Sequence, residues 1–384
     1  MANNYFSRML RGLVFLLSVS SCGVGAEQFH AKRLNNAEPI LSRQHFEQLD
    51  VAAEGENING PSVMRIPEWI PKEKRASLEA RYYMYFGHHR GSYIRLAWAE
   101  NIEGPWRLYH TGKGIADGER GVLDLGRDRM LALDNSLTII EHVASPDVHV
   151  DNDTKRIVMY FHGKAAHAGQ KLSGQRTFVA ISPWGLDFSS GIESVPLADA
   201  YLRVFEYAGT LQSLAKGYHF VPRNSEAPWS VPEKFDFGRS LLWQRNKADC
   251  LNFSNIRYDS DEIFAPGKTR VRHLSLYRAG SRLHVFFTMT GHSPERILVT
   301  SVDLHPDSWF CAAPRVVPAE ILRAEKLWEG SAVKPMPSRR GPEMHLANAL
   351  RDPFILEDEN KLYLFYAGGG ESAIGLAQLT LTRD

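Results

Sequence analysis

From about residue 55 onward, short apolar or aromatic runs alternate with polar turns, and within each run the apolar positions recur every second residue. That is the period of a strand packed on one or both faces, whereas long stretches of 3.6-residue periodicity are scarce. The clearest unit closes the chain: Arg351-Asp352-Pro353, then FIL, the turn EDENK, the strand LYLFY, the corner GGGES and the strand AIGLAQL. The same order recurs in HVASPDVHVD, NDTK, RIVMYFHG and TFVAIS, and in INGPSVMRI, YYMYFGHHRGS and YIRLAWA. A fourth copy reads HLSLYRAGSRLHVFFTMTG then PERILVTSVDL, and the weakest reads YLRVFEYAG, TLQSLAKG, YHFVPR.

A sheet of three or four short strands cannot bury both faces alone. Stacking such sheets radially around an axis solves this. The pattern therefore predicts an all-β fold, a five-bladed β-propeller over residues 55–384, with irregular insertions at 66–81, 107–140 and 221–265. A β-sandwich would account for the strands but not for five recurrences of one strand-corner-strand order. Residues 27–54 read as a lead-in segment.

Residues 1–26 carry a different signal. Arg8 and Arg11 precede an apolar run from Leu13 to Val19, and Val24-Gly25-Ala26 offers small residues for cleavage. The run is too short to span a bilayer, so the segment reads as an export signal peptide. Val19-Ser20-Ser21-Cys22 also resembles a lipobox, with Cys22 as the lipidated residue. The expected location is periplasmic or extracellular, free or lipid-anchored.

Composition narrows the partners. Hydrophobic residues are 43% and charged residues 23%, the profile of a globular chain. Lys and Arg number 45 against 44 Asp and Glu, which leaves no basic excess to attract a nucleic acid. Eight Trp and fourteen Tyr suit either ring stacking on sugars or core packing. After the signal only Cys250 and Cys311 remain, either a disulfide or two separate thiols, and nothing has metal-ligand Cys spacing.

The Pro-acid or acid-Pro strand openings, each followed by an aromatic strand, resemble the five-bladed propellers of glycoside hydrolase family 43 and its relatives, over roughly residues 55–380. The resemblance implies a carbohydrate substrate, no obligatory cofactor, and three carboxylates at a central funnel. These are a base Asp in blade one, a tuning Asp in blade two and an acid Glu in blade three. Asp147, in Ser145-Pro146-Asp147, matches the tuning Asp. Blade one offers Asn59-Gly60-Pro61-Ser62 in place of the base. Blade three has Arg203 near the usual Glu, with Glu206 three positions off. Arg351-Asp352-Pro353 echoes the Arg-Asp-Pro of invertase-like propellers.

The resulting candidates are Asp147, Asp352 and Glu371 for catalysis, with Asn59, His88, Arg203, Arg272, His273, Glu343 and Arg351 for binding. His345 sits beside Glu343 on the same loop. Only one of His88 and His89 can face the funnel if the backbone there is extended. Asp147 and Asp352 could instead cap turns. The three arginines could brace carboxylates or bind an anionic sugar, and His273 could stand beside a calcium ion. The expected activity is hydrolysis of a glycosidic bond. A non-catalytic sugar-binding propeller and a structural surface lipoprotein are the alternatives.

Overall fold

A computed structural model describes residues 27–109, 121–133, 137–193, 195–215, 218–226, 228, 243–245, 270–304 and 318–383. The signal segment with Cys22, and both Cys250 and Cys311, lie outside the described residues.

Five antiparallel sheets form the fold. Blade one runs outward from Asn59–Arg65 through Tyr82–Gly87 and Tyr93–Ala99 to Arg107–Leu108. Blade two starts with Leu137–Asp151 and continues with Arg156–His167, Arg176–Ser182 and Ala198–Asp199. Blade three comprises Leu202–Tyr207, Thr210–Ala215, Tyr218–Pro222 and Trp243–Arg245. Blade four comprises Arg270–Ala279, Arg282–Thr290, Ile297–Asp303 and Ala319–Leu322. Blade five takes Arg351–Asp358, Lys361–Gly368 and Ala373–Arg383 from the end of the chain, and Glu27–Arg33 pairs on as its outer strand. The segment read as a lead-in thus supplies the strand that closes the ring. Each inner strand touches the inner strands of the blades on either side, in a complete circle. That is a five-bladed β-propeller.

The strand alternation explains the stacking. In Tyr82–Gly87, Tyr83 and Tyr85 pack against Ile157, Met159 and Phe161 of blade two. Their neighbours Tyr82, Met84 and Phe86 pack against Phe365, Ile374 and Leu376 of blade five. The same division holds in blade four, where Val285 and Phe287 face Phe205 and Leu214 of blade three, while Phe286 faces Leu364 and Tyr366 of blade five. Each middle strand is buried on both faces, so it reads as a continuous apolar run, and one core fills each gap between blades.

Four of the five inner strands carry a bulge at their starts, the strand of blade three being the exception. Pairing slips by one residue between Asn59 and Ser62, between Ala144 and Asp147, between Val271 and Leu274, and between Arg351 and Phe354. Gly60, Ser145 and Asp352 occupy the bulge with φ of 61°, 52° and 48°, each followed by proline, and Tyr201 has φ of 69° at the start of blade three. A bulge leaves one backbone group off the ladder, so a proline without N–H fits there. Beyond the bulge, the splayed inner strands are stitched by side chains. Ser62 Oγ accepts from Val148 N at 2.9 Å, Asp147 Oδ2 from Val204 N at 3.0 Å, and Ser275 Oγ from Ile355 N at 2.9 Å.

Candidate functional site

The bulges aim side chains into the mouth of the central funnel. Its floor is narrow, about 10 Å³, room for about one water. Every blade contributes: Asn59 and His89 from blade one, His142 and His162 from blade two, Tyr201 from blade three, His273 from blade four and Asp352 from blade five. The rings form an arc, with centroids 6.4 Å apart for His89 and His142, 5.6 Å for His142 and His162, 4.5 Å for His162 and Tyr201, and 5.4 Å for Tyr201 and His273.

Asp352 ends the arc. Burial, and then the charge of Glu371, push its carboxyl up to about 6, against the pull of Arg272, His89 and Arg351. His273 Nδ1 stands 3.0 Å from Asp352 Oδ1, but the pair lacks the direction of a hydrogen bond. Burial holds that imidazole well below its ordinary pKa, so it is neutral.

Beneath Asp352 lies a polar network. Glu371 accepts from Arg351 at 2.9 Å, Asn57 at 2.7 Å and Asn59 at 3.2 Å, and His89 Nδ1 is 3.2 Å away. Burial opposes its ionisation most, yet these partners together bring it down to about 2. Asn57 Oδ1 also accepts from the His89 backbone N–H at 2.8 Å, fixing that corner. Glu295, fully buried, accepts from Arg351 at 2.8 Å, Thr288 at 2.9 Å and Arg272 at 3.4 Å. Arg272 further donates to the carbonyls of Arg339 and Gly341.

The candidates from the sequence therefore separate. Asn59, His273 and Asp352 meet at the funnel floor, with Glu371, Arg351 and Arg272 packed beneath them. Of the histidine pair, His89 faces the funnel. His88 turns away, accepting from Arg90 N at 3.1 Å, and burial lowers its pKa to about 4. Asp147 and Arg203 line a cavity of about 270 Å³ at the opposite mouth, with His149. There Asp147 sits 2.9 Å from His149 Nε2, and Arg203 donates to the carbonyls of Leu274, Ser145 and Leu202. Two residues past the bulge, a side chain no longer faces the funnel floor. Glu206 is exposed, as is His345, and Glu343 lies on the rim, 4.0 Å from Arg351. All three arginines are engaged in bracing. Asn57 and Glu295 were not among the candidates. The signal for Glu295 was its place in the corner after a blade's second strand, which it shares with Glu371.

No family profile matches the chain. It is 28% identical over 332 residues to the uncharacterized protein R118 of Acanthamoeba polyphaga mimivirus, covering 84% of this chain and 83% of that one. Among solved structures, a thermostable family-43 glycoside hydrolase superposes with a TM-score of 0.44 at 14% identity, over 85% of this chain and 89% of its own. A family-43 β-xylosidase/α-arabinofuranosidase from a compost metagenome, in complex with xylotriose, gives 0.46 at 13% identity, over 92% and 94%. An α-L-arabinofuranosidase from Lactobacillus brevis gives 0.45 at 11%, over 85% and 91%. At these identities the likeness is one of fold.

Among the described residues, no group of three or more His, Cys, Asp and Glu is placed to hold a metal ion. No helix among them is long and apolar enough to cross a membrane.

Proposed function

We propose that the protein is a glycoside hydrolase whose funnel takes a sugar unit, with Asp352 as general base. Asp352 carries this reading: a carboxyl at the funnel floor, raised to about 6 by burial and a neighbouring charge, titrates where a base is useful. Ionised, it would take a proton from a water on the funnel floor as that water attacks the anomeric carbon. His89 is the proposed acid for the leaving oxygen. Its ring lines the funnel floor 3.2 Å from Glu371, and its side chain remains 19% exposed. His273 and Asn59 would orient the sugar hydroxyls.

The test is product release from a panel of plant and algal glycans. Asp352→Asn should fold and lose at least about a hundredfold in turnover, the scale for a positioned base. Unchanged turnover in this variant would remove Asp352 from the mechanism.

A specific observation favours a second reading, a non-catalytic sugar-binding propeller. The bulges of blades one and two carry Gly60 and Ser145, and Tyr201 stands at the start of blade three, none of them a carboxylate. Calorimetry showing sugar binding without product would select it.

We also infer export through residues 1–26. Mass spectrometry of the mature N-terminus separates cleavage after Ala26 from lipidation at Cys22, and an intact Met1 would overturn it.

A further inference from the structure

Next to the funnel, the loop leading into blade five encloses a second cavity of about 280 Å³. Arg351 forms the partition. Its guanidinium holds Glu371 and Glu295 and also lines this cavity. The loop is fixed to the funnel rim, because Arg272 donates to the carbonyls of Arg339 and Gly341 and Asn57 donates to the carbonyl of Glu343.

The lining has a chemistry of its own. Lys334 and Arg339 are exposed and have no carboxylate at ion-pair distance among the described residues. Glu343, the carboxylate in the lining, stands 4.0 Å from Arg351. Met336 and Leu346 are 58% and 50% exposed and give the cavity an apolar side. Asn348 also lines it, and its Oδ1 is buried without a hydrogen-bond partner among the described residues. Two uncompensated cations beside an apolar wall match a sugar ring bearing an acidic group. The cations take the anion and the wall takes the C–H face.

We propose that this cavity binds an anionic sugar unit, carboxylated or sulfated, next to the unit held at Asp352. The proposal rests on the funnel being a sugar site and adds the class of glycan. Three probes test it by calorimetry on the Asp352→Asn protein: trigalacturonate, a sulfated carrageenan oligosaccharide and xylotriose. At least one anionic probe should bind about tenfold or more tighter than xylotriose, and the preference should shrink as salt is raised. Which anionic probe binds identifies the acidic group. Lys334→Ala/Arg339→Ala should abolish the preference, and each single variant should reduce it, with melting temperatures confirming that the exposed substitutions leave the fold intact. Equal binding of all three probes, no binding of either anionic probe, or a preference that survives the double variant overturns the proposal. Binding is read without turnover, so the two readings fail separately. Anionic preference without product from the wild-type protein sinks the hydrolase and keeps the cavity, and turnover of neutral glycans without the preference does the reverse.

Discussion

Asp352 couples function to stability. Its folded pKa of about 6 lies above the ordinary carboxylate value, so the native state holds the proton more tightly than the unfolded chain does. Its favourable contribution is therefore complete below about pH 4 and is lost as the pH rises through about 6. A displacement of about two units corresponds to roughly 2–3 kcal/mol. Asp352→Asn should thus be more stable than wild type at pH 7.5 by an amount of that order, and the gain should vanish near pH 4 in paired urea titrations. Activity runs the other way: the base must be ionised while the acid keeps its proton, so kcat/KM should be bell-shaped in pH, with the midpoint of its rising limb near 6. Asp352 and His273 were visible in the sequence because acid-Pro and blade-opening positions mark the funnel. Asp147 was visible too, but sequence could not show that two residues past a bulge the chain addresses the other mouth. Its hydrogen bond to Val204 stitches two blades.

At the scale of elements, the fifth blade depends on one arginine. Arg351 opens the inner strand and joins two carboxylates, Glu295 from blade four and Glu371 from its own corner, both shielded from water. Removing it leaves two buried anions short of their main counter-charge. Arg351→Ala should therefore cost about 3–5 kcal/mol in denaturant unfolding. Arg351→Lys should recover only part of this, since an ammonium cannot reproduce the fork. The corner glutamates show the limit of a linear reading. Strand periodicity displays which face a residue takes, but Glu295 and Glu371 sit outside the strands. Their meeting at Arg351 depends on two blades being neighbours. The blades were legible because Tyr83 and Tyr85 must face one way while Tyr82 and Met84 face the other.

At the scale of the molecule, the ring is held shut by pairing between Glu27–Arg33 and the last strand, with Glu27 opposite Arg383 and Arg33 opposite Ala377. Arg33 also ties this strand to Glu329 at 2.7 Å and to Glu325 at 2.7 Å, beside blade four. Removing residues 27–33 should expose the edge of Ala373–Arg383. A protein starting at residue 34 is expected to melt at least about 5 °C lower and to self-associate, as scanning calorimetry and light scattering would show. The closure has a consequence for the order of assembly. The first of the described strands to be synthesised must wait for the last, and until then the newborn chain carries two unsatisfied edges that fit each other. Two chains made side by side could exchange these strands, so crowded synthesis favours intertwined pairs while dilute refolding favours the lone ring.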